Sequence, residues 1–286
     1  MTEGNPLLKI TAAVSGLSAL LLAGCSSAGS PEPSTSGPPK VVPPAVLEAG
    51  NLKVCTANDG APPSVYYDES GALIGSEVDL AKGIASEMGL KAQFVETGFV
   101  TLIPTLQAKQ CDVIMAALYI KPEREKVADF VPYLYSGTGI AVSTEHPAAI
   151  TGMDESLCGK KVIVAVATTA ESLSEEQSTK CTGAGKPPLD INRNSKAVVS
   201  IQQVENGQMD AYLDAAETLG YYETKTGAKI QMAGKPFGTI KIGAATLKGN
   251  AELHNAIQQA LDVLERNGTY KKIIEQWGQG DLSIQS

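Results

Sequence analysis

Residues 78–118 read VDLAKGIASEMGLKAQFVETGFVTLIPTLQAKQCDVIMAAL, and the spacing of apolar residues changes period along them. Over 78–90, Val78, Ala81, Ile84, Ala85 and Met88 share one face at helical spacing, and Gly89 is a natural stop. Residues 91–97 alternate, with Ala92 and Phe94 on one side, as a strand does. Residues 101–110 read as a second short helix. Residues 112–118 (DVIMAAL) are a continuous apolar run, the mark of a strand covered on both faces. Upstream, residues 52–57 (LKVCTA) form another short apolar strand. The order strand, helix, strand, helix, strand predicts a parallel α/β unit. The pattern then restarts. Residues 161–167 (KVIVAVA) read as a buried strand, 169–180 and 197–207 as helices, and 209–213 (MDAYL) as a strand. Leu253, Ala256, Ile257, Ala260, Leu261 and Leu264 define an amphipathic helix, Gly268 breaks it, and 270–277 form a last short helix. The chain therefore holds two α/β units, and the second is not a sequence copy of the first.

Composition narrows the function classes. The 286 residues are 43% hydrophobic and 19% charged, which suits a globular core. A net charge of −8 argues against nucleic acid, whose phosphates need a positive surface. With only two histidines, His146 and His254, a His-rich metal site is excluded, and no cofactor is implied. At the N-terminus, Lys9 precedes an uncharged run, residues 10–24 (ITAAVSGLSALLLAG), too short for a confident membrane span. The run ends in Leu22-Ala23-Gly24-Cys25, which resembles the bacterial lipobox. That resemblance implies a signal peptide over 1–25, cleavage before Cys25 and its diacylation, two acyl chains being enough to hold a protein at a membrane. Residues 26–46, rich in Pro and Ser, read as a flexible tether. Export makes disulfides the natural state of Cys55, Cys111, Cys158 and Cys181. Of the pairings open to four cysteines, Cys158–Cys181 closes a loop within one βα unit, and Cys55–Cys111 joins neighbouring strands; these two are favoured. Their spacing does not suit zinc.

Six stretches, in this order, carry a family resemblance: GALIGSEVDLAKGIASEMGL, FVTLIPTLQAKQCDVIMAALYIKPERE, VADFVPYLYSGTGIAV, CGKKVIVAVATTAESL, NGQMDAYL and AELHNAIQQALDVLERNGTYKKIIEQWG. Together they resemble family 3 solute-binding proteins, the extracytoplasmic receptors of polar amino-acid ABC importers. The resemblance implies a two-lobed, type II periplasmic-binding-protein-like fold with two hinge strands and a ligand cleft between the lobes. Lobe 1 is expected over 47–139 and 242–286, lobe 2 over 140–241, with crossings near 137–142 and 240–246.

The same resemblance assigns candidate ligand contacts. Arg124, in Lys121-Pro122-Glu123-Arg124, stands where the family pairs an arginine with the ligand α-carboxylate; a planar guanidinium fork matches two oxygens. Thr168 and Thr169 open the turn after 161–167. Thr168-Thr169-Ala170-Glu171 is also a capping box, so a helix cap, an anion site or both are open readings. Phe99 stands where the family packs an aromatic ring on the ligand. Ala116, Ala117 and Tyr119 fall where backbone carbonyls and a hydroxyl meet the ammonium, and Tyr119 is larger than the usual Ser or Thr. In Asp210-Ala211-Tyr212-Leu213-Asp214 the acid falls one residue before the family's ammonium-binding slot, which is Ala215 here. Either Asp214 substitutes or that contact is lost. After the first strand, the family's usual acid and aromatic are missing, and Asp59 or Tyr66 are the residues at hand to replace them.

No Ser/His/Asp or Cys/His constellation and no phosphate-loop pattern is readable. The expectation is therefore a non-enzymatic receptor, monomeric and lipid-anchored outside the cytoplasm, that binds a small zwitterion, an amino acid or a related solute, and presents it to an ABC permease. Two alternatives share the fold: a cleft enzyme resembling cyclohexadienyl dehydratase, for which Tyr119 or Asp214 would supply acid–base chemistry, and a solute-sensing module.

Overall fold

The computed structural model describes residues 41–284. The signal peptide, Cys25 and most of the tether lie outside the described residues. The first unit opens with strand β1 (Asn51–Ala57) and a small hairpin, β2 (Tyr66–Tyr67) and β3 (Leu73–Ile74). Helix α1 (Ser76–Glu87), β4 (Lys91–Thr97), α2 (Leu102–Gln107), β5 (Val113–Ile114) and the one-turn α3 (Pro122–Glu125) follow. A long strand, β6 (Ala128–Ser143), leads into the second unit: β7 (Lys161–Val164), α4 (Thr169–Gly183), β8 (Asp190–Arg193), α5 (Ala197–Glu205), β9 (Ala211–Ala215), α6 (Ala216–Lys225) and β10 (Ile230–Met232). A second long strand, β11 (Phe237–Leu247), returns to the first unit, where α7 (Ala251–Arg266) and α8 (Thr269–Gln276) complete it.

β1 lies parallel between β4 and β5, and β7 lies parallel between β8 and β9. Each unit thus repeats one order, with its first strand central. β6 and β11 run antiparallel between the two sets, β11 beside β5 and β6 beside β9. Helices cover both faces of each parallel set, as buried parallel strands require. On one face of the first set, Leu52, Val54, Leu80 and Ile84 pack with Leu253, Ile257 and Leu261 of α7; on the other, Cys55 and Ile114 pack under Leu102 and Leu106 of α2. In the second set, Val162 and Leu213 pack with Ala170 and Cys181 of α4, and Ile163 and Tyr212 with Ile201 and Val204 of α5. The structure contains the disulfides Cys55–Cys111 and Cys158–Cys181. Gly268 adopts φ 79° and ends α7, as the left-handed terminus of a helix favours. Gly75 is required at the start of α1: its φ is 136°, and a Cβ there would stand 2.1 Å from the Ser64 carbonyl oxygen.

Three sequence expectations need correction. The strand expected over 112–118 is only Val113–Ile114. Met115, Ala116 and Leu118 are as buried as expected, but Ala117 turns to φ 50° and ends the ladder. The strand expected over 161–167 stops at Val164 for a related reason, with Ala167 at φ 61°. The tether is shorter than 26–46, because Val41, Ala45 and Val46 are buried in the first core and the Leu47 N–H donates to Asp112 at 2.7 Å. No helix among the described residues is long and apolar enough to cross a membrane.

Candidate functional site

Both early strand endings occur at the carboxyl ends of parallel strands, where α/β folds place ligands. A left-handed alanine costs free energy and points to a site that over-determines the backbone. The two turns line one cavity of about 100 Å³, together with the ends of β1 and β9 and the turn after β4. All nine ligand residues expected from the sequence line it: Asp59, Phe99, Ala116, Ala117, Tyr119, Arg124, Thr168, Thr169 and Asp214.

Arg124 is held by α3, whose Pro122 at the first helical position fixes the entry angle. Its Nη1 donates to the Tyr119 carbonyl at 2.8 Å, and its guanidinium carbon lies 5.6 Å from the Phe99 ring centroid, within cation–π range. Burial lowers its pKa, and the Glu123 charge opposes that shift. Among the described residues no carboxylate forms an ion pair with Arg124, whereas Arg193 is held by Glu171 and Glu175 at 2.5 and 2.8 Å. Arg266 is exposed on α7. Arg124 is therefore the arginine with donors left to offer the cavity.

Opposite it stands the N-terminus of α4. Thr168 is the cap: its Oγ1 accepts from the Glu171 N–H at 3.2 Å and donates to the Ala165 carbonyl at 2.7 Å. Glu171 reaches back to the Ala167 N–H rather than to that of Thr168, at 2.6 Å, so the box is closed one residue early. With its hydroxyl committed, Thr168 has a structural task whatever else it does. Thr169 differs: its Oγ1 is buried without a partner. The N–H groups of Thr169 and Ala170 open the helix and have no intrahelical acceptor, and both residues line the cavity.

The acids are placed differently. The Asp59 Oδ2 accepts from the Phe99 N–H at 2.8 Å, tying the turn after β1 to the turn after β4. Asp214 is half-buried near the end of β9, where it accepts from the Tyr212 hydroxyl and, at 2.8 Å, from the Ala215 N–H. Burial raises its pKa, and these hydrogen bonds oppose the rise. The Ala117 N–H donates to Glu77 Oε2 at 2.7 Å, and Glu77 Oε1 accepts from the Tyr133 hydroxyl. The Tyr119 hydroxyl bonds to Ser136 Oγ at 2.8 Å. Tyr66 is not among the lining residues; it packs on Tyr221 and Trp277 at centroid distances of 5.5 and 6.1 Å. Sequence reasoning missed Thr138, Ser195, Tyr212 and Thr218 of the lining, and Glu77, Ser136 and Glu217 behind it. One available signal was Glu77, an acid among the apolar positions that begin α1; Tyr212 stands inside the Asp210–Asp214 motif and Ser136 and Thr138 inside one of the six stretches, but nothing local marks them as facing a cavity.

Two parallel α/β units joined by an antiparallel pair of long strands, with a cavity at the strand ends that carries one free guanidinium, a helix N-terminus and two acids, define a two-lobed receptor for a small solute. The sequence comparison agrees. The profile of bacterial extracellular solute-binding proteins, family 3, matches residues 52–280, and the chain belongs to that family. It is 28% identical over 239 residues to the arginine-binding protein of Corynebacterium glutamicum, covering 83% of this chain and 77% of that one. It is 26% identical over 269 residues to an ABC transporter glutamine-binding protein of Bacillus subtilis, covering 93% and 95%. Among solved structures, an ancestral arginine-binding protein bound to arginine is similar at 33% identity with a TM-score of 0.71, over 80% of this chain and 98% of that one. An ancestral amino acid-binding protein described as a precursor of cyclohexadienyl dehydratase is similar at 30% identity with a TM-score of 0.70, over 80% and 95%.

Proposed function

We propose that this protein is the receptor of an ABC importer for an α-amino acid, and that the amino acid binds between lobe 1 (47–139 and 242–286) and lobe 2 (140–241) with β6 and β11 as the hinge. The observation that carries the reading is Arg124, a guanidinium with free donors in a cavity whose other wall is the N-terminus of α4. Arg124 takes the α-carboxylate as a fork, and the α4 N–H groups with Thr169 Oγ1 take it from the opposite wall. Asp214 and the carbonyls of Ala116 and Ala117 face the ammonium, while Phe99, Tyr119 and Asp59 shape the side-chain end. A ligand held from both walls favours the closed arrangement by its extra contacts there. Relatives named for arginine, cystine and glutamine place polar amino acids first in a screen. The mature protein is a monomer outside the cytoplasm, held at a membrane by acyl chains on Cys25, and it has no catalytic turnover.

A thermal-shift screen of the standard amino acids and cystine at about 1 mM tests this. A ligand at 100 times its Kd adds about 2.7 kcal/mol, or roughly 5–10 °C for a chain of this size. A clear shift, followed by calorimetric binding at one site per chain, supports the receptor. The same sample incubated with prephenate should leave it unconsumed; consumption would move the reading to the cleft enzyme. Mass spectrometry of the membrane-extracted protein should find diacylated Cys25 as the first residue, and light scattering should give a monomer.

A further inference from the structure

Behind Tyr119 lies a carboxylate that the binding scheme above does not use. Glu217, in the first turn of α6, receives Ser136 Oγ at 2.9 Å on Oε1 and 2.7 Å on Oε2. Ser136 sits on β6, where the chain passes between the units, and its Oγ is also 2.8 Å from the Tyr119 hydroxyl. That hydroxyl has a second acceptor in the Gly137 carbonyl at 3.3 Å, and Ser136 Oγ reaches the same carbonyl at 3.4 Å. Tyr119 lines the cavity, and its own carbonyl anchors Arg124. A hydrogen-bonded chain thus runs from Glu217 through Ser136 to the Tyr119 hydroxyl, and the backbone of the same tyrosine holds Arg124.

Counting protons along this chain gives two arrangements. With Glu217 ionised, Tyr119 donates to Ser136 and Ser136 donates to the carboxylate. With Glu217 protonated, its O–H donates to Ser136 Oγ, and the Tyr119 or Ser136 hydroxyl must turn to the Gly137 carbonyl. The titratable groups facing Glu217 are Asp214 from β9 and Glu77 from α1, both acids, with the hydroxyls of Tyr119 from the loop after β5 and Tyr133 from β6. None of these supplies a positive charge. Ala215, two residues before Glu217, and Thr218, directly after it, both line the cavity.

We propose that Glu217 is a positioning residue of the binding site, fixing Tyr119 through Ser136, and that entry of the ligand ammonium beside Asp214 draws a proton off Glu217. The inference rests on the amino-acid reading given above. Arg124 is the positive charge near this cluster and acts on Tyr119; the ammonium adds one on the Asp214 side, so the ionised arrangement, with Tyr119 donating to Ser136, belongs to the bound state. Burial raises the Glu217 carboxyl to about 7, with Asp214 and Glu77 adding to the rise and the Ser136 hydrogen bond opposing it. Near neutral pH the unliganded protein therefore carries the proton that binding releases.

The experiment is calorimetry of the full mature chain with the tightest binder from the screen of standard amino acids and cystine, in buffers of different ionisation enthalpy. Wild type should release about half a proton per ligand at pH 7, and its Kd should weaken several-fold from pH 7.5 to 5.5. Glu217→Gln should abolish that release and flatten the profile. Glu77→Gln should keep the Glu217-dependent part, which separates the two acids. Ser136→Ala should weaken binding about fivefold while Glu217 remains in place. A merely structural Glu217 would lower stability and leave proton release unchanged, and that result overturns the proposal. So does proton release in Ser136→Ala and Glu217→Gln alike at the wild-type value. If no amino acid in the screen binds, the amino-acid reading falls and this inference falls with it.

Discussion

Replacing Arg124 with methionine keeps much of the side-chain stem and removes the fork. In the structure one Nη1 donor goes to the Tyr119 carbonyl at 2.8 Å, and the remaining donors are free for a ligand carboxylate. Each hydrogen bond to a charged group contributes about 1.5–3 kcal/mol. Truncating one partner of a charged pair costs about 2–5 kcal/mol, much of it the penalty for the charge left behind. Arg124 is half-buried rather than sealed, so the lower part of that range applies. A loss of about 3 kcal/mol corresponds to roughly 150-fold in Kd. Arg124→Lys keeps a point charge without the bidentate geometry and should lose about 1.5 kcal/mol, roughly tenfold. Calorimetric titration with the ligand identified in the screen measures both. Loss of the Tyr119 contact, about 1.5–3 kcal/mol on the same scale, should lower Tm by roughly 3–12 °C, and a variant still folded at the titration temperature separates unfolding from the affinity change. A folded methionine variant that binds within threefold of wild type would refute the carboxylate assignment.

Three further outcomes follow from the fold. The Cys158–Cys181 and Cys55–Cys111 bonds close loops with separations of 23 and 56 residues. In the chain-entropy account these contribute about 3.5 and about 4 kcal/mol; the paired alanine variants should melt roughly 10 °C lower in calorimetry, the larger drop at Cys55–Cys111, and a drop under 3 °C would count against it. Gly75→Ala forces a Cβ against the Ser64 carbonyl at an unfavourable φ, and should cost about 2 kcal/mol or more, seen as a Tm lower by about 4–8 °C. Burial raises Glu77 and Glu217 to about 7, from 4.5 in the unfolded chain. Between these values the folded state holds more protons, so their contribution is fully present below pH 4.5 and is lost as pH rises through 7. The ligand-free Tm should fall between pH 5.5 and 8, and the double Glu→Gln variant should lose that slope; an unchanged slope would exclude these two acids as its source.

The alternation of apolar spacing along 78–118 was enough to read the first α/β unit, because parallel strands and amphipathic helices differ in period. The points where the reading overran were Ala117 and Ala167. Alanine carries no signal for a left-handed backbone, and what holds Ala117 there includes Glu77, 40 residues away, accepting its N–H. The long strands β6 and β11 were legible only as crossings. Their pairing joins residues over 100 positions apart, such as Leu247 and Ala128, and local spacing says nothing about such partners. The residues around the cavity were legible where they fell in motifs, as Arg124, Thr168 and Thr169 do. Ser136 and Glu217 were not, because their relation to the cavity exists only through contacts across 81 residues of sequence.

The last two helices belong to the first core. Leu253, Ile257, Leu261, Tyr270 and Ile274 pack with Leu52, Val54 and Leu80, and the Tyr270 hydroxyl donates to the Tyr133 carbonyl at 2.6 Å. The second core, by contrast, is built from residues between Ile140 and Phe237. A chain made or threaded N-terminus first can complete its central unit while its first unit is still open, since that unit waits for its final turns. Vectorial emergence therefore finishes at both ends of the sequence at once. A stop near residue 250 would leave the central unit able to collapse, and the segment that began the chain without its partner surface.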